Sequence, residues 1–144
     1  MERSHFIRLI GVSCLGATFP LSITGCASVH YFSSTVHEDI LKIPISEFEG
    51  IKKDQTFTRK FIVVESPSLD FPIALYKESG NYTALWTECT HQNCEVKPRD
   101  GIMTCPCHGS EFDTSGSVLE GPAELPLKSF RVSTDQSLIY VHLA

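Results

Sequence analysis

The chain has 144 residues, room for one domain and a leader. It carries 12 Lys and Arg against 17 Asp and Glu, a net charge of −5, and is 42% hydrophobic and 20% charged. That balance supplies no basic face for nucleic acid, and the composition is that of a folded soluble domain.

Residues 1–8 (MERSHFIR) hold Arg3 and Arg8, and residues 9–23 carry no charge. A basic start followed by an apolar stretch is the pattern of an export signal. The stretch is short against the ~20 residues of a membrane span, and Pro20 interrupts it as a helix. Glu2 to Arg8 resembles the twin-arginine export motif, with Ser4 at the second arginine. Ile23-Thr24-Gly25-Cys26 resembles a lipobox, which implies that Cys26 becomes the lipidated first residue of the mature protein. More than one acyl chain there would anchor the protein stably. The expected organisation is a leader over 1–25, a polar tether over 26–37 and one domain over 38–144. Setting aside Arg3, Arg8 and Glu2, residues 26–144 carry 10 basic and 16 acidic side chains.

Residues 27–37 are small and polar without periodicity, so His30 and His37 read as solvated tether residues. From Glu38 onward, Val, Ile, Thr, Phe and Tyr enrichment predicts strands over 39–44, 57–64, 71–76, 81–87, 101–104, 127–133 and 137–143. Turn residues separate them at Ser79-Gly80-Asn81, Arg99-Asp100-Gly101 and Ser133 to Gln136. Residues 45–53 read as a loop or single turn. The class is all-β, an antiparallel sandwich or barrel carrying a loop subdomain. Trp86 and the phenylalanines read as core, and His142 as a surface residue.

Two blocks carry the chemistry: Cys89-Thr90-His91-Gln92-Asn93-Cys94 and Cys105-Pro106-Cys107-His108-Gly109-Ser110. Each follows a predicted strand, where a rigid sheet positions functional loops. Cys89, His91, Cys105 and His108 form a thiolate and imidazole ligand set. Structural zinc takes the same set, and spacing alone leaves both readings open. Cys94 and Cys107 stand at matched places in the two loops.

With Gly121-Pro122-Ala123 downstream, the blocks closely resemble the Rieske family pattern C-T-H-x-x-C, C-P-C-H-G-S and a G-P-A proline loop. The resemblance covers roughly residues 57–143. It implies one 2Fe–2S cluster, with Cys89 and Cys105 on one iron and His91 and His108 on the other. It also implies a disulfide between Cys94 and Cys107. Neutral imidazoles in place of two thiolates raise the potential to about −150 to +300 mV, against about −400 mV for all-cysteine clusters. Hydrogen bonds to cluster sulfurs raise it further. Ser110 matches the family's serine donor, but Phe112 stands where high-potential members have a tyrosine. Gly121 and Pro122 belong to the loop expected to cover the cluster. Gln92-Asn93 replaces the Leu-Gly of quinol-oxidising members, and Glu124 replaces a common proline.

The resemblance implies a one-electron carrier with no substrate site of its own. The first expectation is the iron–sulfur subunit of a membrane quinol–cytochrome oxidoreductase-type complex, with cytochrome b or c and quinol as partners. The alternative is an accessory lipoprotein serving another exported oxidoreductase, as the small subunit of arsenite oxidase does. Rieske ferredoxins and oxygenase components are cytoplasmic and generally lack the disulfide cysteines. A structural zinc module is the most distant reading. The expected location is outside the cytoplasm, on the periplasmic side or cell surface, held by the lipid or by the leader.

Overall fold

The computed structural model describes residues 28–144. The leader and Cys26 lie outside the described residues. Within them the strands are β1 (Tyr31–Ser33), β2 (Ile40–Pro44), β3 (Glu49–Lys52), β4 (Gln55–Thr58), β5 (Phe61–Glu65), β6 (Ile73–Glu78) and β7 (Asn81–Trp86). There follow β8 (Lys97–Pro98), β9 (Met103–Thr104), β10 (Glu111–Phe112), β11 (Val118–Glu120), β12 (Ser129–Thr134) and β13 (Leu138–His142). A 3-10 turn spans Ile45–Phe48. No helix among the described residues is long and apolar enough to cross a membrane.

Seven strands form one sheet in the order β1-β5-β6-β7-β12-β13-β2. Its pairs are antiparallel except β1 with β5. Both faces of the central strands are covered, which is why their sequences run apolar without alternating. Ile73 and Leu75 of β6 point into a core with Leu41, Ile43, Phe48, Ile62 and Ile139. Ala74 and Tyr76 of the same strand point the other way, into a second core with Leu85, Met103, Cys105 and Phe112. A four-stranded sheet, β11-β10-β9-β8, supplies that second layer. The cysteine and histidine loops are therefore seated on the back of the rigid central sheet.

Three expectations change. The strand expected over 57–64 is two strands, because Arg59 breaks it. Its N–H donates to Phe48 O at 2.6 Å and its guanidinium reaches Glu47 O at 3.1 Å and also Glu49 O. Residues 45–53, expected as a loop or single turn, hold the 3-10 turn but then also β3, which pairs with β4. The stretch expected as a tether contains β1, whose Tyr31, Phe32 and Ser33 pair with Val63, Val64 and Glu65. Phe32 and Val36 pack on the first core, and His30 Nε2 lies 2.8 Å from Glu47 Oε2. An unpaired edge at β5 draws this segment in, since backbone groups there would otherwise lack partners. His142 is half-buried, with Nε2 at 2.8 Å from Ser133 Oγ.

Candidate metal centre

The two blocks fold as matching loops. In the first, the Cys89 N–H donates to Cys94 O at 2.8 Å and the Asn93 N–H to Cys89 O at 2.9 Å. In the second, the Cys105 N–H donates to Ser110 O at 2.8 Å and the Gly109 N–H to Cys105 O at 3.0 Å. Antiparallel pairs flank both, Glu88 with Glu95 and Thr104 with Glu111. Each loop needs one left-handed residue at the same place, Asn93 at φ 53° and Gly109 at φ 80°. Asparagine is among the few side chains that accept this region readily. The departure from Leu-Gly at Asn93 is therefore conformationally neutral, whereas Gln92 is exposed and changes the polarity of the surface.

A disulfide joins Cys94 to Cys107, with Cα atoms 6.5 Å apart. The sulfurs of Cys94, Cys105 and Cys107 lie within 4.8 Å of one another. Two of those three are bonded to each other and have no thiolate to offer, so this group is not a ligand set. Among the described residues the free thiols are Cys89 and Cys105, both buried. The His91 and His108 rings are exposed and meet edge-on, 5.0 Å between centroids at 86°. The four expected ligands thus form an inner thiol pair and an outer imidazole pair.

This arrangement fits a two-iron cluster better than zinc. Zn–S and Zn–N bonds of about 2.0–2.3 Å require tetrahedral donors to lie roughly 3–4 Å from one another. Among the described residues, Cys89, His91, Cys105 and His108 do not contribute three donors within 4.8 Å. Burial pushes the Cys89 thiol above its ordinary pKa, and the adjoining Cys105 sulfur acts in the same direction. Backbone N–H groups of His91 and Gln92 oppose the shift without cancelling it. A metal cation bound there would compensate the thiolate charge and favour deprotonation.

The proline loop closes over the pair from the side. The Ala123 N–H donates to Ser110 Oγ at 2.9 Å, and Ser110 is fully buried. The serine oxygen is thus used as an acceptor, and its own O–H remains to be donated. The Gly121–Pro122 peptide is cis, and both residues are exposed. Thr90 Oγ1 donates to Leu125 O at 2.7 Å. One hydroxyl from each cluster loop therefore fastens the same covering loop. Nothing in the sequence marks this role of Thr90 beyond its place between the first Cys and His. Phe112 is buried beside Met103 in the second core, without a hydroxyl to donate. Tyr76 braces the sheet beneath, its O–H donating to Arg99 O at 2.9 Å, and burial holds its phenol protonated.

Relatives agree with this geometry. The sequence profile of the Rieske [2Fe-2S] domain matches residues 43–131. The cytochrome b6-f complex iron-sulfur subunit of Chlorobaculum tepidum is 32% identical over 77 residues, 52% of this chain and 42% of that one. The subunit of the same name from Parasynechococcus marenigrum is 34% identical over 95 residues, 65% of this chain and 46% of that one. The chain thus spans less than half the length of these curated relatives. Among solved structures, the plasma membrane Rieske protein PetC3 from Synechocystis superposes with a TM-score of 0.50. That protein is 31% identical, and the match covers 57% of this chain and 85% of that one. The paired loops, the disulfide between them and a matched profile spanning most of the fold make this chain a member of the Rieske family, whose cofactor is a single 2Fe–2S cluster.

Proposed function

We propose that the chain is a one-electron carrier, the iron–sulfur subunit of a membrane quinol–cytochrome oxidoreductase-type complex. The bound 2Fe–2S cluster supplies one-electron chemistry. Cys89 and Cys105 would hold one iron, and His91 and His108 the other. The observation that carries this reading is the contrast in burial within the ligand set. The thiols are enclosed, whereas both imidazoles are open to a redox partner. The protein's share of the chemistry is positioning. The disulfide fixes one loop against the other, Thr90 and Ser110 hold the proline loop down, and Ser110 keeps one O–H to give. Enclosing one side limits water there, which strengthens every hydrogen bond aimed at the site.

The two named subunits of cytochrome b6-f complexes support the complex reading. One observation favours the alternative, an accessory lipoprotein serving another exported oxidoreductase. The exposed Gln92 makes the surface beside His91 polar where quinol-oxidising members have leucine. Electron paramagnetic resonance of dithionite-reduced native membranes separates the two. A subunit of a quinol-oxidising complex changes its Rieske signal when a quinol-site inhibitor is added. An unchanged signal would reject that reading in favour of the accessory carrier.

A further inference from the structure

Three sulfurs of the centre stand together in a way that the cluster does not use. Those of Cys94, Cys105 and Cys107 lie within 4.8 Å of one another; Cys105 is buried, Cys94 half-buried and Cys107 exposed. Cys89 and Cys105 belong to the second core, and Cys94 packs against it. The Cys89 sulfur adjoins that of Cys105. A tetrahedral dication with Zn–S bonds of about 2.3 Å needs its sulfurs roughly 4 Å apart. The bridge between Cys94 and Cys107 is what closes this set, since bonded sulfurs have no thiolate to offer.

A dithiol opens the bridge with two electrons and two protons. The S–S bond breaks, Cys94 and Cys107 become thiols, and the dithiol leaves as its own disulfide. The two Cα atoms are 6.5 Å apart, near the wide end of the ~4.4–6.8 Å that a bridge spans. That separation leaves room for side-chain rotation to part the sulfurs while the loops stay in place. Among the described residues, Cys89, His91, Cys105 and His108 do not bring three donors equally close. A single ion therefore meets the thiols before the imidazoles, and soft thiolates suit zinc and similar ions.

We infer that, with the bridge open, Cys94, Cys105 and Cys107 form a second metal site, a thiolate set for one zinc-type dication. The ion enters from the exposed Cys107 side, and Cys89 beside Cys105 is the fourth donor. Binding releases the thiol protons. This site and the cluster set share Cys105, so one chain holds one or the other. Closing the bridge abolishes the dication site and leaves the cluster set whole. The bridge is then a metal-selectivity device as well as a brace. That consequence rests on the cluster ligands proposed above, whereas the thiolate site does not.

The test uses the full-length chain carrying Cys14→Ser and Cys26→Ser, so that only the four thiols of the fold remain. It is made under iron limitation, reduced with a dithiol, freed of it under nitrogen and titrated with cobalt(II) as the probe. Thiolate-to-cobalt absorption in the near ultraviolet should saturate at one equivalent, with the visible bands of tetrahedral cobalt. The His91→Ala/His108→Ala chain should bind as tightly, and both rings are exposed, so the change spares the core. Cys94→Ser and Cys107→Ser should each weaken binding by more than about tenfold, the least that losing even a residue behind a ligand costs. Reforming the bridge before cobalt is added should abolish the absorption. No absorption from the reduced chain, absorption lost with the histidines, or absorption that survives reoxidation overturns the thiolate site. None of these results touches the cluster assignment, on which nitrogen coupling in the iron-loaded protein reports separately.

Discussion

At the scale of single residues, the chain sets its redox behaviour by what stands beside the ligands. Ser110 is buried, accepts from Ala123 and keeps one O–H to give. Phe112 fills its place in the core and gives nothing. Replacing Phe112→Tyr should raise the midpoint potential. A hydrogen bond that favours the reduced cluster by about 1 kcal/mol corresponds to ~40 mV for one electron. A redox titration of the two proteins checks this, and no rise would mean that position 112 does not face a cluster sulfur. Ser110→Ala should act in the opposite sense. It also leaves the Ala123 N–H buried without a partner, at a cost of about 1–3 kcal/mol in thermal unfolding. Asn93→Gly should leave cluster content unchanged, because the backbone at φ 53° suits either residue. Gly109→Ala, at φ 80°, should lose about 1–2 kcal/mol and with it part of the bound iron.

At the scale of elements, the metal centre is two copies of one loop joined by a covalent brace. The bridge closes a separation of 13 residues. A loop of that size is worth about 3 kcal/mol. The Cys94→Ser/Cys107→Ser protein should therefore unfold at lower denaturant and hold its iron less well, which colorimetric iron analysis during a urea titration would measure. These features were legible in the sequence because each rests on a residue type with few uses. The Cys, His and Gly-Pro-Ala blocks pointed to the centre through their resemblance to the Rieske pattern, spacing alone leaving zinc open, and β7 was readable from Tyr82, Thr83, Leu85 and Trp86. Other elements were not legible. β8 and β10 have two residues each, too short for any periodicity, whereas β9 falls inside the strand expected over 101–104. β1 is a strand only because β5 offers it an edge, a tertiary cause that Tyr31-Phe32-Ser33 does not announce. The break at Arg59 likewise depends on carbonyl groups of Glu47 and Phe48, about a dozen residues earlier.

At the scale of the whole molecule, one sheet covered on both faces carries the metal centre on one side and closes with β12, β13 and β2 on the other. The β12–β13 turn is held by Asp135. Its carboxylate accepts from the Tyr140 O–H at 2.6 Å and from the Ser137 and Leu138 N–H groups at 2.7 Å. These bonds, Tyr140's foremost, lower its pKa from 3.8 to about 2. The stability they give is present in full above the unfolded value and is lost as pH falls through the folded one. Wild-type protein should therefore melt higher than Asp135→Asn at neutral pH, with the difference closing between about pH 4 and 2. Thermal unfolding of both proteins across that range checks the sign. Two buried thiolates and two exposed imidazoles are the proposed ligands of a two-iron cluster. Electron–nuclear double resonance of the reduced protein tests this assignment most directly. Two nitrogen couplings are expected, from His91 and His108, with one lost in His91→Cys and one in His108→Cys. A reduced cluster without nitrogen coupling, or purified protein containing one zinc and no iron, would contradict it.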